Sequence, residues 1–262
     1  MMRHIKFSSF LLLAALITFA PLQAQAFGIE STDFSVSVIA QDGLFIGSAM
    51  GGAKIIIRDR HTGDIIIEGV TSGGTGDAET LMANTRERRA GLTDRDTARF
   101  SFSLDLVEPM AVTIEAIGPQ AMARVTHDMV LIPYKDYSEG DGIVLTLPGI
   151  AVKVLEPAPH TTLKHDPQAP VTVSANIMKL CGCRIGDDGH WPTDHYEVSL
   201  HIYTGAHLVD KVPMQYAGTP GLFKSKLVVP DPASYRLVVT AFDPVTKEGG
   251  MDSTTLILKP DQ

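Results

Sequence analysis

The sequence lacks several features that would assign it to a common functional class. Beyond residue 26 no run approaches about 18 consecutive apolar residues, the length that a transmembrane helix needs. Acidic residues outnumber basic ones by 30 to 22, which argues against nucleic acid and anionic membrane surfaces as partners. No Ser-His-Asp, paired-glutamate or His-Glu-x-x-His pattern is visible, although a catalytic triad can assemble from distant residues. An enzyme is therefore not excluded, but we expect a non-catalytic protein.

The first 26 residues have the pattern of a secretory signal peptide. Arg3 and Lys6 precede an apolar run over 10–20, and Ala24-Gln25-Ala26 has the small-x-small form of a cleavage site. No cysteine follows the run, so a bacterial lipid anchor is not expected. The sequence predicts cleavage after Ala26 and a soluble periplasmic or secreted protein with no membrane insertion, and the loss of two basic residues makes its charge more negative than −8.

Short β-strands are predicted throughout the first half of the mature chain. Phe34, Val36 and Val38 alternate with polar residues, which is typical of a half-buried strand. Asp77 is expected to cap a short helix over 78–83. The predicted strands lie within 33–46, 54–59, 64–68, 99–106, 111–117, 125–132 and 143–147. This spacing predicts a β-sandwich domain over residues 27–150.

A second set of strands follows Pro148-Gly149, which we interpret as a domain boundary. A proline-rich connector lies over 157–170. No long helix is indicated anywhere in the sequence, which weighs against most α/β enzyme folds. The later predicted strands lie within 152–155, 171–178, 196–203, 208–214, 222–229, 235–242 and 253–258. Tyr235 is placed to act as a stabilising tyrosine corner. We therefore predict an all-β protein whose second domain, over 151–262, is an Ig-like sandwich.

Two stretches resemble known exported modules. The sequence IIIRDRHTGDIIIEGVT over 55–71 is similar to carboxypeptidase-regulatory or transthyretin-like modules of exported bacterial proteins. The sequence YRLVVTAFDPVTKEGG over 235–250 resembles the last two strands of bacterial Ig-like and fibronectin-like domains. Both resemblances imply β-sandwich folds, and neither implies an activity.

The only two cysteines, Cys181 and Cys183, occur in the stretch that carries the strongest functional signal. In an exported protein two cysteines usually form one disulfide. A spacing of two residues makes the required geometry hard to reach, and so small a ring removes little unfolded-state entropy. A stabilising disulfide is therefore a weaker interpretation than usual, and a labile or functional one stays open.

Residues beside the cysteines complete a candidate metal site. Thiolates and imidazoles are ligands that zinc and copper prefer, and His190 and His195 follow Cys183 closely. Cysteines two positions apart on a strand point to the same face, and the segment 186–189 is a plausible reversal. The sequence predicts a four-ligand site made of Cys181, Cys183, His190 and His195.

The predicted metal is copper, with zinc as the alternative. Structural zinc sites usually use Cys-x2–4-Cys pairs, whereas thiolate with histidine or methionine in an exported protein fits copper at least as well. The corresponding function is metal binding in delivery or an accessory role.

Two other functions stay open. The chain could be an Ig-like interaction module that supports an extracytoplasmic assembly, with a periplasmic protein as its partner. It could also be a thiol redox protein, for which Arg184 is thin electrostatic support.

Overall fold

The structure is a computed structural model that describes residues 30–83, 85, 87, 90–106, 109–122, 125–131, 140–186 and 189–260, with Glu30 and 125–131 described by backbone alone. The predicted signal peptide over 1–26 lies outside these residues. Within the described part of the chain, no helix has the length and apolar character needed to cross a membrane.

The first seven strands form two sheets. They are β1 Glu30–Ala40, β2 Lys54–Asp59, β3 Ile65–Val70, β4 Phe100–Leu106, β5 Val112–Gly118, β6 Val125–Leu131 and β7 Ile143–Leu147. One sheet has the order β4-β1-β7, in which β1 pairs antiparallel with β4 and parallel with β7. The other is an antiparallel sheet of order β3-β2-β5-β6. Every strand predicted before residue 150 is present.

Strand β1 is buried on both faces from Phe34 to Val38, although Asp33 on the polar face is exposed. Phe34, Val36 and Val38 are buried as the alternation predicts, but Ser35 and Ser37 are buried as well. Gly142 explains the covering of Ser35, because a Cβ on that glycine would lie 2.2 Å from the Ser35 hydroxyl oxygen. The half-buried interpretation fails because a turn distant in sequence covers the polar face.

Two local structures in the first half of the chain are formed by residues that are close together in the sequence. The side chain of Asp77 accepts a hydrogen bond from the Thr80 backbone N–H and caps helix α1, Ala78–Leu81. The turn between β2 and β3 is closed by a hydrogen bond from the Asp59 N–H to the Asp64 carbonyl, with Gly63 at φ 78°. Both features need only neighbouring residues, and the Asp77 cap is the one that the sequence predicts above.

The remaining strands also form two sheets. They are β8 Ile150–Glu156, β9 Thr161–Lys164, β10 Val171–Lys179, β11 Glu197–Thr204, β12 His207–Pro213, β13 Gln215–Tyr216, β14 Leu222–Leu227, β15 Ser234–Phe242 and β16 Gly249–Lys259. One sheet has the order β13-β14-β10-β8, and the other has the order β12-β11-β15-β16-β9. The all-β sandwich class predicted from the sequence is thereby confirmed.

Strand β9 lies inside the proline-rich connector over 157–170, where the sequence predicts no strand. Its four residues pair in parallel with β16, from Thr161 opposite Leu256 to Lys164 opposite Lys259. Three of the four residues are exposed, so the strand has no apolar alternation to reveal it. Its extended conformation results from pairing with β16, which lies almost a hundred residues later in the chain.

The buried apolar side chains form one continuous cluster. It runs through both pairs of sheets and includes Met50, Ile150, Cys181 and Trp191 between them. The sheets change at β7 and β8, on either side of residue 149. The division into domains over 27–150 and 151–262 stays a prediction, because the cluster does not end where the sheets change.

Tyr235 makes the contact expected of a tyrosine corner. Its side chain is 3% exposed, and its hydroxyl donates a 2.7 Å hydrogen bond to the Asp231 carbonyl oxygen. The bond ties the start of β15 to the loop that precedes it.

Replacement of Tyr235 by Phe removes this hydrogen bond and retains the ring. We expect Tyr235→Phe to lower the free energy of unfolding by about 1 kcal/mol, measured by urea denaturation. Tyr203→Phe is the matched control, because the Tyr203 ring lies under Arg236 at 4.4 Å and this cation–π contact does not need the hydroxyl. Equal effects of the two variants would contradict the corner role.

Candidate functional site

The two cysteines lie on a tight turn at the end of β10. The Lys179 N–H donates to the Cys183 carbonyl at 2.9 Å, and the Gly182 N–H donates to the Lys179 carbonyl at 2.8 Å. Gly182 has φ 84°, a left-handed conformation that favours glycine. We call residues 181–183 the Cys-x-Cys turn.

Cys181 and Cys183 are joined by a disulfide, with their Cα atoms 5.4 Å apart. The structure therefore shows the disulfide, which is one of the interpretations that the sequence left open. Cys181 is 3% exposed, whereas Cys183 and Gly182 are partly exposed. A bonded pair offers no thiolate to a metal, so metal binding requires the reduced form.

The two predicted histidine ligands lie on the segment that leads to β11. His190 is exposed, and its ring packs edge-on against Trp191 at 5.6 Å between centroids. His195 ends a 3-10 helix, Thr193–His195, and is also exposed. Within the part of the chain that the structure describes, no three His, Cys, Asp or Glu side chains form a group able to hold a metal ion. The structure thus joins Cys181 to Cys183 without assembling the set of four, and that set stays a prediction.

Trp191 fastens this segment to the first half of the chain. It is 9% exposed, and its Nε1–H donates a 2.8 Å hydrogen bond to the Asp42 carbonyl oxygen. The Gly186 N–H donates to the Trp191 carbonyl at 3.0 Å, which closes the loop that follows the cysteines. The indole ring is thus buried while its N–H is satisfied by a carbonyl from the first half of the chain.

A buried ion pair holds the other side of the Cys-x-Cys turn. The Lys179 ammonium is fully buried and lies 2.6 Å from a carboxylate oxygen of Glu248, which is itself 1% exposed. The second carboxylate oxygen of Glu248 accepts a 2.9 Å hydrogen bond from the Gly149 N–H. Asp42 lies farther away, at 3.9 Å from Lys179. The pair therefore connects the end of β10, the residue before β16 and the linker between β7 and β8.

Three carboxylates, those of Asp42, Asp243 and Glu248, interact electrostatically around the Lys179 ammonium. Burial raises the pKa of Asp42, and the charges of Glu248 and Asp243 act in the same direction, while Lys179 acts against them. Burial also favours the acid form of Asp243, but hydrogen bonds from the backbone N–H groups of Val245 and Thr246 hold its pKa below the usual value. Burial, followed by the charge of Asp42, raises the pKa of Tyr196 far above its usual range. Thiol redox activity depends on an electropositive setting, which these carboxylates do not provide, so the surroundings do not support the thiol redox interpretation.

Sequence reasoning missed Met50 and Asp42, which bring the first half of the chain to the cysteines. Met50 packs on Gly182, and Gly43, which follows Asp42, packs on the Cys181 sulfur. Met50 has three glycines near it in the sequence, Gly47, Gly51 and Gly52. Glycines allow close approach of other groups, so they were a local sign that this segment packs closely against another part of the chain. No spacing rule relates residues more than a hundred positions apart.

Comparison with known proteins shows no family. No protein-family model matches the chain, and no curated protein does. Among solved structures, fibronectin(III)-like modules of CbhA from Clostridium thermocellum match at 9% identity and TM-score 0.28, covering 88% of this chain and 95% of that one. Titin domains Z1Z2 in complex with telethonin match at 9% identity and TM-score 0.28, covering 88% and 98%. An engineered protein matches at 17% identity and TM-score 0.32, over 45% of this chain and 22% of that chain. At these scores the likenesses carry no argument about function.

The Lys179–Glu248 pair yields a stability prediction. Lys179→Met leaves the Glu248 carboxylate buried without its cation, and we expect a loss of about 3–5 kcal/mol in the free energy of unfolding, measured by urea denaturation. Lys179→Met combined with Glu248→Met removes both charges and is expected to recover part of that loss.

The control is an exposed pair of the same chemistry. Lys54 and Glu68 lie 3.1 Å apart with side chains 37% and 50% exposed, so Lys54→Met is expected to cost less than about 1 kcal/mol. Similar losses for Lys179→Met and Lys54→Met would show that the buried pair does not hold the site.

Proposed function

We propose that this chain is an exported metal-binding protein whose reduced Cys181 and Cys183 take up copper, in delivery or an accessory role. The observation that supports this most directly is that both cysteines lie on one turn, with their sulfur atoms bonded to each other. Little rearrangement is needed to present both sulfurs to a single ion, and soft thiolate ligands favour Cu(I). Zinc is the alternative metal.

The surroundings of the Cys-x-Cys turn support a preorganised site. Lys179 on one flank and Trp191 on the other are both held by groups distant in sequence. Ligands fixed in this way lose less freedom on binding than ligands on a mobile loop. Because Cys183 is partly exposed, a small ion or a donor molecule has a route to the sulfurs.

Copper binding requires that a small thiol first reduces the Cys181–Cys183 disulfide. Two thiol molecules reduce the disulfide to two cysteine thiols and leave as one disulfide, so two electrons and two protons pass to the protein. Cu(I) then binds the two thiolates, and the displaced protons go to solvent with no further electron transfer. Copper uptake is therefore expected only after reduction.

Copper titration tests the proposal. We expect the reduced chain over 27–262 to bind one Cu(I), measured by competition with a chromophoric chelator under anaerobic conditions. Cys181→Ser with Cys183→Ser is expected to weaken binding at least about a hundredfold, which corresponds to about 2.7 kcal/mol. The oxidised chain is the control and is expected to leave the copper with the chelator. No binding by the reduced chain, or unchanged binding by the serine variant, would overturn the proposal.

The same titration tests the two predicted histidine ligands. His190→Ala and His195→Ala are each expected to lower copper affinity, because each imidazole is a predicted ligand, and unchanged affinity in either variant would remove that histidine from the set. The exposed His207, on the hairpin between β11 and β12, provides the control variant His207→Ala.

An interaction module is the second candidate function. Strand β12 forms the edge of the five-stranded sheet, and Leu208 and Val209 on it are 52% and 43% exposed. An uncovered edge can pair with an extended segment of another protein. Lys211 and a break in register beside Tyr203 oppose such pairing, which is why this candidate comes second.

Pull-down from a periplasmic extract separates the two functions. An interaction module is expected to retain its partner after chelator treatment and to lose it in Val209→Lys, which places a charge on the edge strand. Val245→Lys is the control, because Val245 is 84% exposed on the turn between β15 and β16. Failure to retain any partner under these conditions would count against this candidate.

A further inference from the structure

The side chains of Lys179 and Glu248 meet in a fully buried part of the core. They are 0% and 1% exposed, and the ammonium nitrogen lies 2.6 Å from Glu248 Oε2. An ammonium has three N–H donors. Among the described residues, Lys179 Nζ donates one hydrogen bond, to Glu248. The two charges are therefore poorly compensated for their burial, and a reaction that removes both of them would be favourable.

The backbone holds both residues of this pair in place. The Lys179 N–H donates to the Cys183 carbonyl at 2.9 Å, and its carbonyl accepts from the Gly182 N–H at 2.8 Å. The Glu248 carbonyl accepts a 2.9 Å hydrogen bond from the Asp243 N–H, at the base of the turn between β15 and β16. Because the amine and the carboxyl group are already held in contact, little further freedom is lost when they react.

Two neighbouring groups are placed to assist the condensation of an amine with a carboxyl group. The Gly149 N–H donates a 2.9 Å hydrogen bond to Glu248 Oε1 and would stabilise the negative charge that develops there when a nucleophile adds. A carboxylate oxygen of Asp42 lies 3.9 Å from Lys179 Nζ, and the Asp42 side chain is 45% exposed, so it connects the pair to solvent. Burial raises the pKa of Asp42, which suits a group that carries a proton during the reaction.

We propose that Lys179 and Glu248 condense to an intramolecular amide, which links the end of β10 covalently to the residue before β16. The bond between Nζ and Cδ forms from the nitrogen electron pair, and the bond between Cδ and Oε2 breaks with its electrons on Oε2. The ammonium loses two protons, which leave with Oε2 as one water molecule, while Oε1 becomes the amide oxygen. No oxidant, reductant or further reactant is needed, and the reaction does not depend on copper.

The amide would join the two sheets of the second half of the chain. Strand β10 belongs to the sheet of order β13-β14-β10-β8, whereas β16 belongs to the five-stranded sheet. The linked residues are 69 positions apart in the sequence. Closing such a loop lowers the entropy of the unfolded chain, so we expect the linked protein to unfold at a higher urea concentration than the unlinked one.

Mass spectrometry of the intact, folded chain over 27–262 tests the proposal. We expect the mass to fall by one water molecule beyond the hydrogens lost in the disulfide, and proteolysis to release a branched peptide that joins the segments around Lys179 and Glu248. Lys179→Arg is the matched control, because a guanidinium keeps the positive charge and does not condense, so its mass is expected to be complete. The branched peptide is decisive, because an aspartate followed by glycine, as at Asp141, can lose water without a crosslink.

Asp42→Gly tests the role of Asp42 in proton transfer. Glycine accepts the left-handed backbone of this residue, which has φ 46°. Chain recovered unfolded from inclusion bodies starts without the crosslink, and we expect the branched peptide to form at least about tenfold more slowly in Asp42→Gly after refolding. Equal rates in the variant and the unaltered chain would overturn the role of Asp42 alone.

The exposed Lys54–Glu68 pair is an internal control for the effect of burial. Its charged atoms lie 3.1 Å apart, and its side chains are 37% and 50% exposed, so no branched peptide is expected from it. A complete mass and no branched peptide at Lys179 in the unaltered chain would overturn the proposal. Equal crosslinking at Lys54 and Lys179 would overturn the argument from burial. Neither result bears on copper binding, which the titration tests separately.

Discussion

The buried contact between Lys179 and Glu248 is the constraint on which the candidate site depends. An ammonium and a carboxylate removed from water are tolerated only together, so the end of β10 and the residue before β16 cannot separate without exposing or isolating a charge. The hydrogen bond from Gly149 to the same carboxylate extends this constraint to the linker between the two pairs of sheets. The position of the Cys-x-Cys turn, two residues after Lys179, follows from it.

The Cys-x-Cys turn belongs to the contact between the two halves of the chain rather than to a free loop. Trp191 reaches Asp42, Met50 covers Gly182, and Gly43 lies against Cys181. Reduction of the disulfide or binding of an ion would therefore act on the contact between the halves as well as on the turn. The proposed metal site would therefore share its residues with the contact between the two halves.

The features that the sequence predicts correctly share one property, which is that their partners are close in the chain. The Asp77 cap and the corner made by Tyr235 each involve residues within four positions. Strand β9 and the burial of Ser37 escaped sequence reasoning, because distant segments decide both. A local sequence pattern therefore predicts only the structure that neighbouring residues determine.

By itself, the sequence determined that this protein is built from strands with alternating apolar residues and that both its cysteines lie within three residues of each other. Alternation of apolar residues has a period of two, and a strand needs nothing else to acquire a buried face. Only the tertiary structure decided which groups surround the Cys-x-Cys turn. Met50, Asp42 and Glu248 reach it from positions tens to more than a hundred residues away, through strand pairing and core packing that no local period encodes.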